Sequence, residues 1–271
     1  MILKERSVGI HICTPCTLNC RRCSAHVDLY KEKGVRYFIS LDSYRRELVK
    51  LFQIYDYIGT VSITGGEPLL HTQLTEQVEY TLENHATQFD YVRITTNGTL
   101  LPDQRLLEMI QKHPLGNKCE FVIDDYGEVS HQVDELSKIL DENHIKYRIN
   151  CYHGEKQHCN GWVDLGAIDE FRNYTEEQAQ NMIHHCHYAN WKCMDCLEGK
   201  LYLCAVASCG DYFHYFTLGP DEYIDLFDES QSLDKMKEIA ASFGKTPIQA
   251  CQYCNGFDVE KSPRFPAGEQ I

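Results

Sequence analysis

The sequence has no run of eighteen apolar residues, and its opening, "MILKERSVGIHIC", lacks the basic, apolar and small-residue succession of a secretory signal. Both absences predict a cytoplasmic protein without a membrane segment. Positive charge is scarce: 26 Lys and Arg stand against 40 Asp and Glu, a formal charge of −14. A nucleic-acid backbone or an anionic membrane needs a basic face, so neither is expected as a partner. Only eight prolines are present while Tyr and Phe are plentiful, and there is no internal repeat or low-complexity tract, so disorder is not expected. A chain of 271 residues can bury a full core and predicts one main domain with a small second one.

What the chain does have is cysteine, 14 in all. In a reducing cytosol these read as metal ligands or reactive groups before they read as disulfides. Short apolar runs near Val8 to Cys13, Val61 to Thr64, Tyr91 to Thr95, Cys119 to Ile123 and Tyr147 to Cys151 predict strands. Between them lie helix-period patterns, the clearest being Leu41, Tyr44, Leu48, Leu51, Phe52 and Tyr55. This alternation predicts an α/β fold of βαβ units with a parallel sheet, doubly wound or barrel-like, and places the chemistry beyond the carboxyl ends of the strands. After about residue 151 the rhythm breaks. A capping box at Thr175 to Gln178 opens a helix running to Cys186, "MDCLEGKLYLC" predicts a hairpin turning at Glu198-Gly199, and a last helix precedes "CQYC".

Cys16, Cys20 and Cys23 form C-x3-C-x2-C directly after the first strand. At this cysteine frequency chance yields the spacing roughly 0.04 times per chain, so composition alone is a poor explanation. Three thiolates can bind three irons of a 4Fe-4S cluster and leave the fourth open, whereas a structural zinc site wants four closed ligands. Cys13 falls outside the pattern and reads as a core residue. The second strand ends in Gly65, Gly66, Glu67 and Pro68, where two glycines permit close backbone approach to a ligand and the carboxylate suits an ammonium group. Thr95, Thr96 and Asn97 end the third strand, and Asp124 and Asp125 the fourth, the aspartates as candidates for a substrate hydroxyl or a ribose.

On these residues the sequence resembles the radical S-adenosylmethionine (SAM) superfamily. The resemblance implies a partial (β/α)6 TIM-type barrel over residues 1–175. It also implies a 4Fe-4S cluster on Cys16, Cys20 and Cys23 whose open iron is chelated by SAM, and cleavage of SAM to a 5′-deoxyadenosyl radical that takes a hydrogen atom from substrate. It makes Gly65, Gly66, Glu67 and Pro68 the SAM-methionine loop, and Thr95, Thr96 and Asn97 further SAM contacts. Arg22 departs from the family, which usually has an aromatic or aliphatic residue there near the adenine; its stem is expected to cover the base with its head in solvent.

Residues 176–271 resemble the twitch auxiliary domain, a shortened SPASM relative. That resemblance implies a second 4Fe-4S cluster on Cys186, Cys204, Cys251 and Cys254, closed by four protein ligands and serving as an electron conduit. Two C-x2-C pairs, Cys193 with Cys196 and Cys251 with Cys254, are the zinc alternative, although their 54-residue separation is long for a zinc ribbon. Cys193, Cys196 and Cys209 are left over, and Cys209 is a candidate hydrogen-atom donor.

The expected activity is oxidation of a secondary alcohol on a sugar or cyclitol, because the short twitch-like region resembles that of a radical SAM cyclitol dehydrogenase. An external one-electron donor such as flavodoxin or ferredoxin is implied. Sugar epimerisation using Cys209 is the first alternative. Peptide modification ranks lower because only fifteen residues precede Cys16. A zinc-stapled interaction protein is the non-enzymatic alternative.

Overall fold

The computed structural model describes residues 2–271. Its first half alternates as expected: β1 (Lys4–Cys13), a short α1 (Val27–Glu32), α2 (Leu41–Ile54), β2 (Tyr57–Gly65), α3 (Leu74–Asn84), β3 (Phe89–Thr96), α4 (Gln104–Lys112), β4 (Cys119–Asp125), α5 (Val133–Glu142) and β5 (Lys146–Cys151). Local chemistry sets several boundaries. The Ser40 hydroxyl accepts the amide of Ser43 to start α2, and the Asp103 carboxylate accepts that of Arg105 to start α4. The α2 stripe of Tyr44, Leu48 and Leu51 is fully buried.

Beyond β5 come β6 (Trp162–Val163), α6 (Glu176–His185), α7 (His187–Trp191), β7 (Cys193–Leu197), β8 (Lys200–Tyr202), α8 (Ala205–Tyr212), β9 (Tyr223–Asp225), α9 (Leu233–Ser242) and β10 (Arg264–Phe265). The capping box at Thr175 and Gln178 is present at the start of α6. Glu198 and Gly199 both adopt positive φ, 47° and 77°, which suits a tight hairpin between β7 and β8. Cys204 lies past the end of β8, at the first turn of α8, not at a strand end as the sequence pattern implied.

Eight strands form one open sheet in the order β5-β4-β3-β2-β1-β7-β8-β9, and β6 pairs with β10 in a separate ribbon. The first six of these are parallel to their neighbours, an α/β arrangement of the partial-barrel kind with no closure. The sixth parallel strand, β7, does not follow β5. It lies on the other side of β1, so β1 is an inner strand, and Val8, Ile10 and Ile12 on it are fully buried. The carboxyl ends of β1 to β5 point the same way, and the loops after them share one end of the sheet.

Beneath the β7–β8 hairpin, Glu47 of α2 is 1% exposed and accepts the Cys196 thiol at 3.6 Å. Burial pushes its carboxyl up to about 7, and Glu198 adds to the rise. An acid whose folded pKa exceeds its unfolded one stabilises the fold below the unfolded value, and that stability is lost as pH rises through the folded value. Folding stability is therefore expected to fall between about pH 4.5 and 7. Glu47→Gln should flatten that slope and raise stability at pH 7 by about 3 kcal/mol, read from urea midpoints across the range.

Candidate functional site

The loop after β1 carries the first cysteine group. Cys13 closes the strand as a fully buried residue, its thiol 3.4 Å from the Glu67 carbonyl oxygen, in keeping with a core role. Arg22 and His26 then take left-handed conformations, φ 59° and 52°, on either side of Cys23, and these turn the chain sharply. Burial pushes the thiols of Cys16, Cys20 and Cys23 upward, Cys20 to about 11 and Cys23 to about 12. Yet N–H groups point at all three sulfurs. The amide of Leu18 and the Asn97 side chain, at 3.3 Å, reach Cys16; the amides of Ala25 and Val27 reach Cys23; the Gln270 side chain, at 3.1 Å, reaches Cys20. Burial disfavours bare thiolates, and donors of this kind favour them, so the loop suits sulfurs whose charge is met by bound metal.

The loop after β2 is pressed against this one. The amides of Gly66 and Glu67 donate to the carbonyls of Cys13 and Pro15 at 2.8 and 2.9 Å. A β-carbon on Gly65 would lie 2.1 Å from the Cys13 oxygen, and one on Gly66 would lie 2.0 Å from that of Pro15, so both positions require glycine. The two glycines line a cavity of about 300 Å3 together with Cys16, Cys20, Cys23, Thr95, Thr96 and Asn97. Glu67 and Pro68 do not line it. The Glu67 carboxylate, expected to meet an ammonium group, turns into the protein instead and accepts the amides of Asn97 at 2.9 Å and Leu69 at 3.1 Å.

Strand alternation separates the two aspartates of β4. Asp124 lines the cavity, accepts Asn150 Nδ2 at 2.8 Å, and is pushed up to about 6 by burial. Asp125 faces His153, 2.9 Å away. Tyr126 and Tyr152, stacked at 5.3 Å, form an aromatic wall with Trp162. Arg22 lines the cavity as well, but its head is not free in solvent: the guanidinium lies 3.4 Å from the Phe265 ring centre and 3.5 Å from Asp164. An adjoining cleft of about 590 Å3 shares Arg22, Cys23 and Leu165.

Cys186, Cys204, Cys251 and Cys254 come together from the end of α6, the start of α8 and the turn after α9, close enough that Cys186, Cys251 and Cys254 each raise another cysteine's pKa beyond the effect of burial. They too receive amide donors, from Tyr188, Ala189 and Phe257 at Cys186, from Ala207 at Cys204, and from Gly256, at 3.2 Å, at Cys254. Cys193 and Cys196 lie three apart on β7 and so face opposite sides of the sheet; Cys196 meets Glu47, and the zinc arrangement fails on that geometry. Among the described residues, the only trio of Cys, His or carboxylate ligand atoms within 4.8 Å is Asp125, Cys151 and His153. Neither cysteine group is therefore drawn in as tightly as one tetrahedral ion requires, since Zn–S bonds of about 2.3 Å put sulfurs roughly 3.8 Å apart. Cys209 is buried, hydrogen-bonded to Tyr30, and absent from the cavity wall, so the sequence-based hydrogen donor is misplaced.

Residues 10–118 match the Radical SAM superfamily. The matched segment contains the cysteine loop, the glycine loop and the end of β3. Over these residues the chain is similar to that superfamily. No curated protein matches the sequence. Among solved structures, BtrN in complex with AdoMet and 2-DOIA is similar at 15% identity over 98% of this chain and 99% of that one, with a TM-score of 0.57. SuiB from Streptococcus suis bound to precursor peptide SuiA is similar at 14% identity over 97% of this chain and 75% of that one, TM-score 0.48. For anSMEcpe with bound AdoMet the figures are 20% identity and TM-score 0.42; the match covers 54% of this chain and spans 42% of the other's length. At such identities the likeness to BtrN speaks for the fold. A radical SAM domain works with a 4Fe-4S cluster and SAM. No helix is long and apolar enough to cross a membrane among the described residues.

Gly66→Ala should force the loops after β1 and β2 apart and cost about 1–3 kcal/mol, read as a lowered urea midpoint. An unchanged midpoint would show that the two loops can separate without loss.

Proposed function

We propose that the protein is a radical SAM enzyme that oxidises a secondary alcohol of a sugar or cyclitol. Cys16, Cys20 and Cys23 would hold the SAM-binding 4Fe-4S cluster, and Cys186, Cys204, Cys251 and Cys254 a second one. The observation that carries the reading is that the three loop cysteines, the Gly65-Gly66 backbone and Asp124 border one cavity. When bound, the first cluster with SAM supplies a 5′-deoxyadenosyl radical, and the second supplies an acceptor for one electron.

The chain's own residues divide the remaining work. The backbone of Gly65 and Gly66 and the side chains of Thr95, Thr96 and Asn97 hold SAM against the loop cysteines. Asp124 takes the hydroxyl proton: its pKa near 6 leaves it mostly ionised at neutral pH while keeping it basic enough to accept. Tyr126, Tyr152 and Trp162 cover the site and keep water from the substrate radical. Oxidation of the alcohol to a carbonyl then balances, with a hydrogen atom leaving carbon for the adenosyl radical, a proton going to Asp124 and one electron to the acceptor. A flavodoxin- or ferredoxin-type donor supplies the electron that starts each cycle. The full-length fold likeness to BtrN, whose structure holds AdoMet and 2-DOIA, supports this choice of substrate class.

Anaerobically reconstituted protein should be brown, carry about eight irons per chain, and form 5′-deoxyadenosine with a carbonyl product when given sugars or aminocyclitols. Joint replacement of Cys204, Cys251 and Cys254 by Ala should leave about four irons and abolish the carbonyl product. Asp124→Asn should lower product formation at least about 100-fold, the ordinary contribution of a general base. A colourless zinc protein, or full iron with no carbonyl product from any such substrate, would sink the proposal. Epimerisation remains the second reading because one thiol, Cys159, does line the cavity. In that case solvent deuterium enters the product and Cys159→Ala stalls turnover.

A further inference from the structure

The backbone after β10 returns to the cysteine loop. Gly268 has φ 73° and a β-carbon there would meet the Tyr126 ring at 2.6 Å, so this segment passes the aromatic wall only as glycine. Residues 269–271 then run antiparallel to residues 19–21. The Arg21 amide donates to the Glu269 carbonyl at 2.7 Å, that of Ile271 to Asn19 at 3.0 Å, and Cys20 pairs with Gln270 in an antiparallel bridge. Inside this strap the Gln270 amide is fully oriented. Its Oε1 accepts the Asn19 amide at 2.8 Å, which leaves Nε2 to donate to Cys20 Sγ at 3.1 Å and to the Gly268 carbonyl at 2.7 Å.

The donors at the other two loop sulfurs include local backbone amides, from Leu18 at Cys16 and from Ala25 and Val27 at Cys23. The N–H that reaches Cys20 comes from a side chain 250 residues away. We propose that Gln270 is a positioning residue that sets the reduction potential of the cluster on Cys16, Cys20 and Cys23 by donating a hydrogen bond to the Cys20 sulfur; the inference rests on the cluster assignment above. A donor at a ligand sulfur stabilises the reduced, more negative cluster and raises its potential. Gln270 thereby makes the one-electron reduction that starts each turnover easier.

The test is an EPR-monitored redox titration of full-length, anaerobically reconstituted protein, following the signal that changes on addition of SAM. Gln270→Glu keeps an acceptor for the Asn19 amide and loses the N–H donor, whereas Gln270→Ala loses both. Each is expected to retain wild-type iron and to show, at the wild-type midpoint, a reduced-to-oxidised ratio about tenfold lower, a shift of ~59 mV for one electron. Glu269→Ala removes only the surface pairing with Arg21, 3.9 Å away, and should leave the midpoint unchanged. Full iron with a wild-type midpoint in both Gln270 variants would overturn the inference. So would loss of the SAM-responsive cluster from both with Glu269→Ala intact, since the contact would then be only a brace. A wild-type protein with no SAM-responsive signal would instead defeat the cluster assignment itself.

Discussion

Three strand ends meet on one buried carboxylate. Glu67 follows β2, its own amide is bonded to the loop after β1, and its side chain accepts the amide of Asn97 just past β3. The residue is fully buried, and burial holds its carboxyl near 7, so the joint forms only because two backbone amides and the neighbouring Thr96 offer themselves to it. Gly65 and Gly66 make the approach possible, because any side chain there would strike the carbonyls of Cys13 or Pro15. The cavity inherits its shape from this joint. Asn97, held by Glu67 through its backbone, extends its side-chain amide to Cys16 and to Thr17, so the third strand fixes the loop of the first.

The second theme is how buried sulfur is met by N–H. Cys119 and Cys196 are fully buried, and among the described residues no amide donor reaches their thiols, which stay protonated in the core. Cys20 is buried, and Cys16, Cys23, Cys186, Cys204 and Cys254 are partly buried, each with donors aimed at it. Burial alone does not separate a ligand from a packing residue, and an N–H at the sulfur narrows the choice without deciding it, since the amides of Gly66 and Glu67 also reach the fully buried Cys13. Spacing in the sequence and donors in the fold select overlapping sets from the 14 cysteines by independent routes.

Much of this was legible in the sequence because it is local. C-x3-C-x2-C after a strand, Gly-Gly-Glu-Pro after the next, and alternating strands and helices each state their own geometry within a few residues. What was not legible is what the chain does at long range. Nothing near "MDCLEGK" says that β7 pairs with β1 rather than β5; that pairing depends on the path from residue 152 to residue 192. Cys209 lies beside Asp195 and Tyr30 for the same reason, off the wall of the cavity it was expected to serve. Arg22 has no local explanation either, and its partners Asp164 and Phe265 belong to segments over a hundred residues distant. Even so, a signal was present at Asp195, a carboxylate inside an apolar hairpin strand. It faces His11 at 2.7 Å and is bonded by Ser208, and the proximity of His11 holds its carboxyl below the usual range despite burial.

The two carboxylates nearest the cavity show how one physical cause serves two ends. Burial raises both Glu67 and Asp124, and the difference lies in what each side chain is given. Glu67 receives two backbone amides and no cavity surface, so its charge is spent within the scaffold. Asp124 receives Asn150 and a long contact from Tyr126, at 3.5 Å, and keeps an edge on the cavity. A carboxylate with lone pairs left over at the edge of a cavity is chemically able to accept a proton from a bound hydroxyl. The alternation of β4 makes the assignment strict. Asp124 and Asp125 are adjacent and alike in chemistry, yet only one of them points inward, and a slip of one residue in the pairing of β4 with β3 would exchange their roles.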